Sequence, residues 1–205
     1  MSGSFITIEG TEGSGKTSLI KSLEKHFTSS GKEVLITREP GGCELGLKIR
    51  EILLHAKISS SAELLLFAAD RAEHVETVIR PALESGKTVI CDRYVHSTLA
   101  YQGFGRGIEV EKINLLNELA TSGLTPKKVL LLDLDVEQGL QRAADREVGV
   151  DSWTRFEEEE LDFHKKIRAG FLSLAKQQPD LIAVIDASKS QEEVLAQSLE
   201  ALSNK

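Results

Sequence analysis

The stretch FITIEGTEGSGKTSL, residues 5–19, narrows the choice of fold more than any other part of the chain. Gly10, four intervening residues and then Gly15-Lys16-Thr17 match G-x-x-x-x-G-K-[ST], a phosphate-binding pattern that carries weight only between a strand and a helix. Both flanks are present: residues 5–9 read as a buried strand and 16–27 as a helix with apolar periodicity. Glycines at 10, 13 and 15 open backbone conformations closed to residues with a Cβ, so successive N–H groups can curl round an anion. The helix that starts near Lys16 turns its positive end toward the same anion. Lys16 adds a point charge on a flexible stem, and Thr17 offers a hydroxyl to a magnesium ion. A Gly/Ser surface turn would need neither flank.

Beyond this loop, short β-rich runs recur at 33–37, 88–91, 128–133 and 181–185, and segments of helical length separate them. VLLLDLD at 129–135 is nearly continuous apolar, as a strand buried on both faces must be. The alternation predicts an α/β chain: a three-layer P-loop fold with a five-stranded parallel sheet flanked by helices, in a single domain over 1–205. Helical patterns cover 44–57, 62–85, 110–122, 136–146, 157–177 and 190–203. Pro81 is expected to kink or break the second of these, and Gly31, Gly86 and Gly123 stand where helices should end. REVGVDSWT at 146–154 carries Gly, Asp and Ser between two helical patterns, so a mobile lid is expected over about 142–156.

Lys and Arg total 25 against 32 Asp and Glu, a net charge of −7, which gives no basic footprint for duplex nucleic acid. An anionic small substrate then requires a local basic cluster. The two cysteines, Cys43 and Cys91, have neither metal-ligand spacing nor partners enough for a disulfide framework, so reduced thiols in the cytoplasm are expected. MSGSFITIEG lacks the basic-then-apolar order of an export signal, and no apolar run approaches membrane-spanning length.

Several constellations fall at strand ends, where an open α/β sheet holds its ligand. The second strand ends in TREPGG, placing Arg38, Glu39 and Pro40 near the phosphate loop, although Pro-Gly-Gly also reads as a plain turn. The third delivers CDRYVHSTLAYQG: Asp92 can hold a magnesium water shell opposite Thr17, and Arg93 offers a planar fork for phosphate. In LLLFAADRAEHV, Phe67 and Arg71 lie four apart on one helix face, a ring and a guanidinium that suit a planar base, or simply a core position. Arg142, Arg146 and Arg155 flank the lid, where cations can stabilise a phosphoryl group in transfer. The EEEE run at 157–160 favours a helix N-terminus, with Glu157 alone assigned to a metal.

A guanine-reading Asn-Lys-x-Asp is missing after the fourth strand, which counts against a regulatory GTP switch and leaves a small phosphotransferase as the better class. IEGTEGSGKTS, TREPGG, LLLFAADRAEHV, CDRYVHSTLAYQG and TRFEEEELDFHKKIRAGF follow the order and spacing of bacterial thymidylate kinase, and the resemblance spans almost the whole chain. DRYVHSTLAYQ discriminates best, because adenylate and guanylate kinases lack it. The resemblance implies transfer of the ATP γ-phosphoryl group to dTMP in a homodimer with Mg2+. A deoxynucleoside kinase or another P-loop monophosphate kinase is the alternative.

The resemblance also distributes roles. Gly10, Thr11, Glu12, Gly13, Ser14, Gly15, Lys16 and Thr17 would hold ATP, with Arg142 and Arg155 over it. Lys16, Asp92, Arg93 and Arg146 would carry catalysis, and Thr17, Asp92 and Glu157 the metal. Phe67 would stack on thymine and Arg71 donate to its exocyclic oxygen, while Ser97, Thr98 and Gln102 surround the other polar edge. Tyr101 would crowd the 2′ position of the sugar. Glu12, Glu39 and Pro40 would lie near the sugar and acceptor phosphate, which Arg50 and Arg93 would grip. One branch of the family carries a catalytic arginine in the loop where this chain has Gly13, so the lid arginines are expected to act instead, Arg146 first.

Overall fold

The computed structural model describes residues 3–145, 156 and 159–203. Five strands, β1 (Ser4–Gly10), β2 (Val34–Arg38), β3 (Thr88–Asp92), β4 (Lys128–Asp133) and β5 (Ile182–Asp186), form one sheet in the order β2-β3-β1-β4-β5. Every pairing is parallel, and in the central strand Thr7 sits opposite Cys91 on one side and Val129 on the other. Each strand boundary falls within one residue of the expected run. Parallel neighbours need long crossovers. The helices that supply them are α1 (Lys16–Ser29), α2 (Glu44–His55), α3 (Ser60–His74), α4 (Arg80–Glu84), α5 (Val95–Thr98), α6 (Val110–Thr121), α7 (Val136–Ala144) and α8 (Leu161–Gln177), and α9 (Gln191–Ser203) follows the last strand.

Alternation along the strands divides the core between two faces. Ile6, Ile8, Leu130 and Leu132 pack with Leu19 and Leu23 of α1 and Val194 of α9. Val129 and Leu131 point the other way, onto Ile113 of α6 and Ile167 and Phe171 of α8. Beside them Phe5, Val89 and Cys91 cover Val75, Ile79 and Leu83. Each fully buried Leu or Ile contributes about 1.5–3 kcal/mol, so both outer layers are firmly held.

Two helical segments differ from expectation. Pro81 does not break the chain's course: α3 passes through one π-helical turn, Val75–Ile79, directly into α4. Proline lacks an N–H and its ring crowds the carbonyl four residues back. The widened turn just before it, closed by Arg80 N–H donating to the Val75 carbonyl, shifts the register and lets the helix continue. Residues 95–105 were not expected to be helical, yet α5 leads into a second π-helical run, Leu99–Gly105. His96 and all of 98–103 are buried, so this segment has no polar face and no periodicity to betray it. Gly31, Gly86 and Gly123 do lie past helix ends with φ of 76°, 87° and 74°.

Among the described residues no helix is long and apolar enough to cross a membrane, and Cys43 and Cys91 are both free. Gly10, Arg38 and Asp92 all end their strands at the same edge of the sheet, with Arg38 paired in register to Asp92.

Candidate active site

A cleft of about 800 Å³ opens at that edge, walled by the loop between β1 and α1, the ends of β2 and β3, α3, and the helical segment after β3. At one end Gly13 takes φ 69°, and a Cβ there would run into the Gly139 carbonyl of α7. A side chain at this position would force the loop away from α7, so an arginine does not fit here without that shift. Ser14 Oγ donates to the Thr11 carbonyl at 2.8 Å, which braces the loop. Gly15 precedes α1 and offers no side-chain cap, leaving the helix's first N–H groups available to an anion. Lys16 Nζ folds back onto the carbonyls of Gly10 (3.1 Å) and Thr11 (2.9 Å). Burial, followed by the charge of Arg93, pulls its pKa down to about 8, against the attraction of Asp92, Glu12 and Glu9.

Next along the cleft is a knot of carboxylates round Arg93, which itself adopts a left-handed φ of 70°. Its Nη2 donates to Glu12 Oε1 at 3.0 Å and its Nη1 to Ser97 Oγ at 3.2 Å, while the guanidinium lies 4.9 Å from the Tyr101 ring centroid. Tyr101 donates to the same Glu12 oxygen at 2.6 Å. Burial raises the Glu12 pKa, but His164, Arg93, Lys16 and Tyr101 outweigh it and hold the carboxyl well below the usual range. Beneath Arg93, the fully buried Glu9 accepts from the Tyr94 amide at 2.8 Å and from Ser97 Oγ at 2.5 Å. Burial pushes Glu9 up to about 7 in spite of those bonds.

The far wall is apolar and aromatic above a buried polar floor. Phe67 of α3 faces the cleft, packed near Phe156, which meets Tyr101 edge-on. One turn along α3, Arg71 is 1 % exposed, with Nε on Glu39 Oε2 (2.8 Å) and Nη1 on Thr98 Oγ1 (2.9 Å) and Asn117 Oδ1 (2.8 Å). Glu39 Oε1 pairs with His74 Nδ1 at 3.0 Å, and His74 Nε2 meets Thr37 Oγ1 at 2.6 Å. Asp70, one residue before Arg71, accepts from the Gly41 amide at 2.9 Å, and Arg50 Nη1 reaches the Pro40 carbonyl at 3.1 Å. The turn 39–42 is thereby anchored from both α2 and α3. The arrangement can grip one anion on the loop, a second near Arg93 and Arg50, and a flat ring against Phe67.

Comparison with known proteins agrees with this geometry. A family model described as thymidylate kinase matches residues 8–198. The chain belongs to the thymidylate kinase family. Among similar curated proteins, the thymidylate kinase of Desulfovibrio desulfuricans is 48% identical over 97% of this chain and 94% of its own length. That of Syntrophotalea carbinolica is 51% identical over 93% and 90%, and that of Geotalea daltonii 50% identical over 93% and 92%.

In this member of the thymidylate kinase family, most residues singled out in the sequence line the one cleft. Residues 12–17 line one end of it; Glu39, Pro40 and Arg50 its middle; Phe67 its far wall. Asp92, Arg93, Ser97, Thr98, Tyr101 and Gln102 run along its side, and Arg142, bonded to the Ala187 carbonyl at 3.2 Å, reaches its rim. Gly10 and Thr11 lie beneath the loop, where their carbonyls hold Lys16. Arg71 stands behind the wall rather than in it. Ser97 spends its hydrogen on Glu9 and its lone pair on Arg93, so it braces that arginine. Arg146, Arg155 and Glu157 fall outside the described residues. Sequence reasoning passed over Glu9, Glu63, Asp70, His74, Asn117 and His164. Of these only Glu9 carried a signal, a lone carboxylate closing an otherwise apolar strand.

Proposed function

We propose that the chain transfers the γ-phosphoryl group of ATP to dTMP, giving dTDP for dTTP synthesis. One observation carries the reading: a single cleft joins a phosphate loop at one end to an aromatic wall with Thr98 and Gln102 at the other, and Arg93 lies between them. ATP occupies the loop, its terminal phosphate against Lys16; dTMP occupies the far end, its base on Phe67 and its phosphate facing Arg93 and Arg50. The attacking atom is an oxygen of the dTMP phosphate, already deprotonated at neutral pH, so no general base is needed. What remains is alignment of two anions and neutralisation of their repulsion. Lys16 and Arg93 supply charge at the point of transfer, Glu12 and Ser97 hold Arg93 in place, and Arg142, Arg146 and Arg155 close over the phosphates, Arg146 foremost.

Magnesium fits the donors available. Thr17 is exposed and carries a hydroxyl, and Asp92 Oδ1 is buried with no hydrogen-bond partner among the described residues, both hard oxygen ligands in the cleft. Thr17 and Asp92 would hold the ion, with Glu157 as a third ligand, and it would neutralise charge on the ATP phosphates. A homodimer is supported by exposed Leu65 on α3 and by Leu115 and Leu119, one turn apart on α6, which are 68% and 77% exposed. Equilibrium sedimentation reads this directly, and a monomer at micromolar concentration refutes it. Two unpaired thiols suit a cytoplasmic location.

ADP formation measured against a panel of nucleoside monophosphates, with thymidine alongside, tests the activity. Turnover of dTMP well above the others is expected; phosphorylation of thymidine in its place would identify a deoxynucleoside kinase. Phe67→Ala should raise KM for dTMP by the equivalent of about 1–3 kcal/mol of stacking and leave KM for ATP unchanged. An unaltered KM for dTMP would remove Phe67 from the base site.

A further inference from the structure

Glu63 of α3 is a buried carboxylate, 1 % exposed, directly behind the base wall. Its Oε1 accepts from Gln102 Nε2 at 2.7 Å, and Arg106 reaches the same carboxylate with Nε on Oε1 (3.3 Å) and Nη2 on Oε2 (3.4 Å). Arg106 is itself fixed by Glu159 at 2.6 Å and by the Phe163 ring, 4.5 Å from its guanidinium. A primary amide has nearly the same shape in both orientations, so only its hydrogen-bond partners decide which end faces which way. Opposite a carboxylate the nitrogen must turn inward. Among the described residues no hydrogen-bond donor meets Gln102 Oε1, and the residue, 1 % exposed, lines the cleft.

We propose that Glu63 is a positioning residue for pyrimidine selectivity, fixing the Gln102 amide so that it presents an acceptor to the base edge. The inference rests on the reading of Phe67, Thr98 and Gln102 as base contacts. Thr98 Oγ1 already accepts from Arg71 Nη1, which leaves its own hydrogen to donate into the cleft. A donor at Thr98 beside an acceptor at Gln102 complements a ring carbonyl next to a ring N–H, the pattern of thymine or uracil. Cytosine offers the inverse, an amino group next to a bare ring nitrogen, and would set lone pair against lone pair at Gln102. A site built this way rejects the mismatched base through the polar groups it leaves unpaired. A reversed amide would favour cytosine with no change in cavity shape.

The full chain is assayed with ATP for kcat/KM on dTMP and dCMP, as wild type, Glu63→Gln and Gln102→Leu, with a thermal melt of each. Glutamine at 63 offers both a donor and an acceptor, so it no longer dictates the neighbouring amide. The dTMP-to-dCMP ratio is expected to fall at least about tenfold in Glu63→Gln and in Gln102→Leu. Were Glu63 only a structural support, both nucleotides would lose alike and the ratio would hold; that result overturns the proposal. If Glu63→Gln fails to fold, an unchanged ratio in Gln102→Leu overturns it equally. A wild type that ignores dTMP refutes the base-site reading itself, an outcome distinct from an enzyme active on dTMP whose variants keep their selectivity.

Discussion

Lys16→Ala should lower kcat by about 10³-fold, because an ammonium preorganised against the migrating phosphoryl group acts where charge develops in the transition state. In the unliganded protein that ammonium rests on two loop carbonyls, Gly10 and Thr11, a neutral parking place it can leave for a phosphate oxygen. ATP retains the loop amides and Thr17 in the variant, so KM for ATP should change far less than kcat. The depressed pKa gives a second readout. Charged Lys16 is disfavoured in the free protein, with a pKa of about 8 against the ordinary 10.5, and a bound anion reverses that preference. ATP binding near pH 8 should therefore take up protons, and uptake should vanish by about pH 6, where Lys16 is already charged. Calorimetry in two buffers of different ionisation heat measures it, and Lys16→Ala isolates it from Glu9, which titrates at about 7. The sign for stability follows: a lowered folded pKa contributes stability above 10.5 that is lost as pH falls through 8. At neutral pH the alanine variant should therefore melt no lower than wild type. A kcat within tenfold of wild type, or a proton uptake that the substitution leaves intact, would remove Lys16 from the reaction.

What the sequence disclosed of this molecule follows from how local each feature is. The central strands β1, β3 and β4 were readable because burial on both faces demands nearly continuous apolar residues, and glycine at 31, 86 and 123 marked helix ends through a left-handed backbone that other residues avoid. The helical run 95–105 was not, since a segment buried all round shows no face. Its consequence is direct: the side chains of Thr98, Tyr101 and Gln102 come into line along one wall only because that run is helical.

The site divides in the same way. The phosphate loop is a contiguous motif and could be read directly; the helical spacing of Phe67 and Arg71 suited a core position equally well, and only the resemblance assigned the pair to a base. The network under them cannot be, because Arg71 finds Asn117 46 residues away and Glu9 finds Ser97 88 residues away. Nothing in composition distinguishes those buried polar residues from surface ones. Arg71, which the resemblance alone set against the base, is buried at the centre of a floor where it meets Glu39, Thr98 and Asn117. Such networks hold catalytic groups at fixed positions, and they are legible only in three dimensions.

Arg93→Ala tests that floor and the chemistry together. The guanidinium is the cation bonded to Glu12 and is linked through Ser97 to Glu9, so its removal takes the nearest positive charge from both carboxylates and leaves Glu12 to Lys16 and His164 and Glu9 to Arg71. Loss of one partner from such a group destabilises by about 3–5 kcal/mol, mostly as the penalty on the charges left behind. Both carboxyl pKa values should then rise, Glu9 from its already elevated value of about 7. A raised folded pKa contributes stability that is present at low pH and lost as pH climbs through it, so the deficit relative to wild type should be larger at pH 8 than at pH 6. Activity should fall as well, with kcat/KM for dTMP down by about 10³-fold, the scale of an arginine that neutralises a transferring phosphoryl group. Arg93→Lys separates the two effects: the charge returns and restores much of the melting temperature, but an ammonium cannot reach Glu12, Ser97 and a phosphate at once as the planar fork does. Melts at the two pH values, with steady-state kinetics on both variants, decide the matter. A deficit independent of pH would mean that Glu9 and Glu12 do not depend on Arg93 for their charge, and a lysine variant with full activity would mean that the fork's geometry plays no part in holding the acceptor.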